Sequence, residues 1–161
     1  MSLETFKFQY SLLDSKMSLS AENKSLMEQA IIARENAYAP YSNFQVGAAV
    51  LLENGMTVLG NNQENAAYPS GLCAERVAIF YAAANYPGVG IKAVAISANA
   101  ILSPLEKPAA PCGNCRQAMA EYEQKQAAPI AVMFMGASGQ VIYCDSVLHL
   151  LPFAFGATFL K

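Results

Sequence analysis

The sequence predicts an α/β fold: a three-layer α/β/α sandwich around a mixed five-stranded sheet, with an extra strand at the N-terminus. Three features predict it. "IKAVAISAN" and "PIAVMFM" are apolar on consecutive residues, the pattern of strands covered on both faces, so helices must flank them. Asn54-Gly55 and the turn "GASG" each join two strand-like runs, which makes those pairs hairpins. Helical segments stand between the remaining strands, as layered α/β domains require.

Each element follows in order. "TFKFQYSLL" alternates Phe6, Phe8, Tyr10 and Leu12 with polar neighbours up to Ser11, the period of a half-buried strand added at a sheet edge. Ser20 caps a helix whose stripe is Leu26, Met27, Ala30, Ile31, Ala33 and Ala37, and Pro40 stops it. Strands near 44–52 and 56–61 flank the Asn-Gly turn. "CAERVAIFYAAANY" is a buried helix ended by Pro87-Gly88, and "IKAVAISAN" a buried strand. A Pro-containing loop leads to a helix over "CGNCRQAMAEYEQK". "PIAVMFM" and "QVIYC" are the last strands, and "DSVLHLLP" is a short helix capped by Asp145. Met27, Met119, Met133 and Met135 are core filler. Residues 1–19 form an extension, and residues 20–161 a single domain.

Composition bounds the function. Hydrophobic residues make up 54% of the 161 and charged ones 14%, against about 45–50% and 25% in typical domains. Such an apolar chain points to oligomerisation. No stretch reaches the ~18 apolar residues of a membrane span, and the N-terminus has no signal-peptide pattern, so a cytoplasmic protein is expected. A net charge of −2 gives no electrostatic footprint for nucleic acid, so a small substrate is expected.

"PCGNC" alone fits a redox dithiol, half of a structural zinc site or part of a catalytic one. Cys73 starts one predicted helix, and Cys112 and Cys115 lie in the first turn of another, where partial positive charge favours thiolate. The three sulfurs converge if both helices start at the same sheet edge. Three ligands with an open fourth position is the catalytic zinc pattern, the vacancy holding a water of lowered pKa. Glu75, two residues after Cys73, is placed to move that water's proton. Three thiolates on a dication leave a net −1, which Arg76 and Arg116, close behind the ligands, can offset.

"CAER" followed by "PCGNCRQ" resembles the signature of cytidine deaminases in their small, all-cysteine zinc form. "YSNFQVGAAVL", "NNQENAAYPSGLCAERVA" and "LLPFAFG" resemble further blocks of that family in the same order, over residues 25–157. The resemblance implies one Zn2+ per chain on Cys73, Cys112 and Cys115, with Glu75 as proton shuttle. It implies hydrolytic deamination of cytidine and deoxycytidine by zinc-bound hydroxide, in pyrimidine salvage. It places Phe44, Asn62 and Glu64 in the nucleoside pocket, the polar pair on the ribose, and the Ala74 backbone against the pyrimidine. It further implies a homotetramer in which Phe155 and the segment of Tyr68 complete a neighbour's pocket. The family often has Gly where this chain has Phe153, which bears on substrate range.

Other readings stay open on the residues alone. Cys144 as a fourth ligand would close the shell into a structural, catalytically silent zinc scaffold. As the end of "QVIYC" it reads instead as a buried thiol. Another aminopyrimidine nucleoside is an alternative substrate. A polynucleotide-editing deaminase lacks the expected basic groove. His149, the only histidine, lies in an apolar segment and reads as structural.

Overall fold

Strand β2 (Phe44–Leu52) turns Ala48, Val50 and Leu52 toward one face and Ala49 and Leu51 toward the other, and all five are buried. A strand with two apolar faces needs two covering layers, and this one has them. The structure, a computed structural model, describes residues 1–160. Besides β2 it contains β1 (Ser11–Leu13), α1 (Ala21–Glu35), β3 (Thr57–Asn61), α2 (Ala74–Asn85), β4 (Ile91–Ala100), α3 (Gly113–Gln126), β5 (Ala131–Met135) and β6 (Val141–Cys144).

The six strands form one sheet in the order β1-β6-β5-β4-β2-β3. Only β4 and β5 pair in parallel, from Ala93↔Ala131 to Ser97↔Met135. A parallel pair needs a crossover, and α3 supplies it. Ala93 and Ala95 of β4 and Met133 and Met135 of β5 join Leu26, Met27 and Ala30 of α1 in one core. Val94, Ile96, Val132 and Phe134 join Ala78, Ile79, Met119 and Ala120 in the other, beneath α2 and α3. The three-layer sandwich and the four core methionines are therefore as the sequence predicts.

Two glycines set how closely helices approach the sheet. A Cβ on Gly47 would lie 2.1 Å from the Ala30 carbonyl oxygen and 2.3 Å from the Arg34 nitrogen, so α1 sits directly on β2. A Cβ on Gly60 would lie 2.5 Å from the Ala74 carbonyl oxygen and 2.6 Å from the Ala78 nitrogen. The first turn of α2 is thereby pressed onto β3.

Two expectations need correction. The added N-terminal strand exists and brings the sheet to six strands, but it spans only Ser11–Leu13. It pairs with β6 from Ser11↔Tyr143 to Leu13↔Val141. Since β6 ends at Cys144, the ladder has almost no partner left for the chain before Ser11, and Phe6, Phe8 and Tyr10 remain exposed. The "DSVLHLLP" helix is a single 3-10 turn over Val147–Leu150, and its cap is Ser146 rather than Asp145. The Ser146 hydroxyl accepts from the Leu148 N–H at 3.1 Å, while Asp145 faces solvent.

Helix α3 ends on Ala127 in the left-handed conformation (φ 52°, ψ 32°), where a Cβ is unfavourable. Ala127→Gly is expected to stabilise the fold by about 1 kcal/mol, raising Tm by roughly 2–4 °C in a scanning melt.

Candidate active site

The three cysteines sit where their backbones make them available. Cys73 caps α2 with extended backbone (φ −72°, ψ 152°) and Cys112 caps α3 in the same way (φ −68°, ψ 167°). Neither side chain is used to cap its own helix, so both sulfurs are free. Cys115, one turn into α3, is buried. The sulfurs of Cys73, Cys112 and Cys115 lie within 4.8 Å of one another, and those of Cys112 and Cys115 are 3.7 Å apart. Tetrahedral Zn–S bonds of ~2.3 Å require sulfurs about 3.8 Å apart, so the donor set fits zinc.

Electrostatics favours a cation here. The Cys73 thiol is held down at about 5, first by its hydrogen bond with Cys115 and then by Arg76, against the opposing effect of burial. Cys115 is pushed far up, because it keeps the proton shared with Cys73, is buried, and faces the Glu75 carboxylate. Adjacent sulfurs resist carrying charge together unless a metal compensates them. Arg76 Nη2 donates to Cys73 Sγ at 3.6 Å, as expected of a charge-offsetting guanidinium. Arg116 does not reach a sulfur: its Nε donates to the Pro111 carbonyl at 2.7 Å and its Nη1 to the Leu150 carbonyl at 2.9 Å.

Glu75, in the first turn of α2, is only 4% exposed, and burial pushes its carboxyl above the ordinary range. It lies in a cavity of about 390 Å3 with Phe44, Asn62, Glu64, Cys73 and Cys112, closed on the sheet side by Val46, Ile96 and Ala98. Ala74 stands between Cys73 and Glu75, buried at the helix start.

Two polar pocket residues have structural tasks that sequence reasoning missed. Asn62 Oδ1 accepts from the Val46 N–H at 2.8 Å, and its Nδ2 donates to the Phe44 carbonyl at 2.9 Å. The side chain is thus spliced into β2 and fixes Phe44, leaving one N–H and one oxygen lone pair for a ligand. Glu64 Oε2 accepts from the N–H groups of Tyr41 (2.9 Å) and Ser42 (3.2 Å), and Oε1 from the Ser42 hydroxyl at 2.5 Å. Those hydrogen bonds, Ser42 first, lower its pKa. Ser42 also accepts from the Phe44 N–H at 3.0 Å. A serine two residues before a strand is a turn former, which is the only sequence signal for it.

Tyr68 does not line the cavity that holds Glu75. It is largely exposed, with its ring 6.2 Å from Tyr41 in an edge contact. Both rings line an adjoining cavity of about 420 Å3 that shares Ser42, Asn62, Glu64 and Cys73 with the first. That cavity is the larger, but it lacks the buried carboxylate. Phe155 is half exposed, stacks on Phe159 at 5.5 Å, and lines neither cavity of its own chain. Phe153 is fully exposed on left-handed backbone (φ 60°), a conformation that a glycine adopts without strain. Cys144 is buried at the end of β6 opposite Val132 and is not in the sulfur cluster. His149 lies beside Phe8, its Nδ1 buried without a partner.

An α/β/α sandwich that delivers three cysteine sulfurs and a buried carboxylate from the starts of two helices is the frame of a zinc-dependent hydrolytic deaminase. Residues 20–131 match the family profile described as the cytidine and deoxycytidylate deaminase zinc-binding region, and the chain belongs to that family. It is 41% identical over 136 residues to the cytidine deaminase of Halalkalibacterium halodurans, covering 84% of this chain and 96% of the relative. The crystal structure of cytidine deaminase from Burkholderia pseudomallei superposes with a TM-score of 0.71 at 44% identity, covering 81% of this chain and 97% of that one. That from Mycobacterium tuberculosis gives 0.63 at 33% identity, covering 82% and 95%.

Replacing Cys115 by Ser is expected to lower bound zinc from one per chain to near zero by elemental analysis. Cys144→Ser is expected to keep it, because Cys144 stands outside the cluster.

Proposed function

We propose that the protein hydrolyses cytidine and deoxycytidine to uridine and deoxyuridine with release of ammonia. The observation that carries this reading is the buried Glu75 carboxyl beside the three-sulfur cluster, in a cavity of nucleoside size that also holds Phe44, Asn62 and Glu64. Zinc held by Cys73, Cys112 and Cys115 supplies Lewis acidity and lowers the pKa of water at the site.

The chain's own residues do the rest. Glu75 takes a proton from the attacking water and gives it to N3 of the base as oxygen bonds to C4. It then carries the remaining hydroxyl proton to the 4-amino group, so that the C4–N bond breaks, ammonia leaves and the C4 carbonyl forms. Burial raises its pKa in the direction that suits a group which must hold and release a proton near neutral pH. Phe44 packs beside base and sugar. Asn62 and Glu64 use their remaining hydrogen-bond capacity on a ribose hydroxyl, and the Ala74 backbone meets the pyrimidine.

The working unit in this reading is a homotetramer in which Phe155 and Tyr68 complete a neighbour's pocket. Support comes from their exposure and from their absence in the lining of their own chain's catalytic cavity. The role in pyrimidine salvage and the cytoplasmic location belong to the same proposal. No helix among the described residues is long and apolar enough to cross a membrane.

Glu75→Gln is expected to lower kcat for cytidine by about 10²–10⁴-fold or more while zinc content and Tm stay near wild type. Near-normal ammonia release from that variant would remove the assigned role. Cytidine should be turned over far faster than free cytosine, since the polar pair acts on the sugar; equal rates would overturn the ribose assignment.

A further inference from the structure

We propose that residues 146–151 are a strut for the metal site, held in place by Glu123 and Arg116, two positioning residues on one face of α3. The proposal rests on the assignment of Cys73, Cys112 and Cys115 as zinc ligands. Residues 116 and 123 are two turns apart, so their side chains share a helix face, separated by a rise of ~10 Å.

Glu123 holds the far end. It is 5% exposed, and no cation pairs with its carboxylate among the described residues. Its Oε2 accepts from the N–H groups of Ile130 (2.8 Å) and Val147 (2.9 Å), and its Oε1 from the Ser146 hydroxyl. A buried carboxylate costs several kcal/mol unless donors compensate it, and here the donors come from two separate segments. The carboxylate therefore locks the start of the strut, and the chain leading into β5, to the helix that carries two ligands.

Arg116 holds the near end. One guanidinium bridges the Leu150 carbonyl, at the end of the 3-10 turn, and the carbonyl of Pro111, the residue before Cys112. Its planar fork serves both carbonyls at once, which a lysine ammonium on a flexible stem cannot do with the same rigidity. Between these ends Val147 is fully buried, and Leu148 and Leu150 pack against the α2/α3 core. The strut thus runs back along α3 toward its N-terminus and sets where Cys112 stands. Sulfur placement matters on a scale of about half an ångström, so a loose strut should release metal before it unfolds the domain.

The test is zinc release from holoenzyme into excess chromogenic chelator, well below each protein's melting temperature. Arg116→Lys and Glu123→Gln are compared with Leu26→Ala, a core truncation in α1 on the opposite face of the sheet. Both strut variants are expected to release zinc about tenfold faster than wild type or more. Leu26→Ala should stay near the wild-type rate despite its loss of Tm. Arg116→Lys keeps the charge and carries the test if Glu123→Gln does not fold. Release at the wild-type rate, or no faster than from Leu26→Ala, would overturn the strut. A wild-type protein that binds no zinc would overturn the ligand assignment itself, and the strut with it.

Discussion

Everything about this molecule's chemistry depends on bringing three thiols from two helix starts to within 4.8 Å of one another. Adjacent sulfurs resist common ionisation, and the fold answers with positive potential from several sources. The N-termini of α2 and α3 contribute partial charge and Arg76 a hydrogen-bonded guanidinium, and a bound dication would complete the balance. With three sulfurs in the group, a zinc held there would keep a position for chemistry instead of serving structure alone.

That convergence is a property of the sheet more than of the cysteines. β4 and β5 are parallel, so the crossover helix α3 must start near the sheet edge at which β4 ends. Gly60 brings the first turn of α2 onto β3, and α2 joins α3 over the same apolar face. Larger residues at such contacts would move a ligand-bearing helix by more than zinc geometry tolerates. The close-packed cores on both faces are therefore part of the site.

The cavity that holds Glu75 is organised by polar side chains that first satisfy the backbone. Asn62 extends the hydrogen bonding of β2 at Phe44 and Val46, and Glu64 gathers the N–H groups of Tyr41 and Ser42. Each keeps limited capacity for a ligand, in a direction already fixed by its protein bonds. Such preorganisation reduces the ordering cost of binding, so the structural bonds of these two residues would also serve the ligand role proposed for them. Glu123 and Arg116 do similar work beneath the metal helix without facing the cavity.

The sequence alone determined the layers, the helices and five of the six strands almost to their ends, because unbroken apolar runs, an Asn-Gly turn and a Ser cap are local signals. It also marked Cys73, Cys112, Cys115 and Glu75 as candidates, because Cys73 and Glu75 share the start of one helix and Cys112 and Cys115 the start of another; that the three sulfurs meet is the work of the sheet. Tertiary structure decided the rest. The N-terminal strand is short because β6 is short, which no periodicity in Phe6, Phe8 and Tyr10 reveals. Ser146 replaced Asp145 as a cap, and Arg116 turned from the sulfurs to two carbonyls, because the donors and acceptors involved come from distant segments. Glu123 carries no local signal in the sequence; only the pairing of α3 with residues 130 and 146–147 makes it a buried anchor. Local chemistry is written in neighbouring residues, whereas the partner of a long polar side chain is fixed by which segments the sheet brings together.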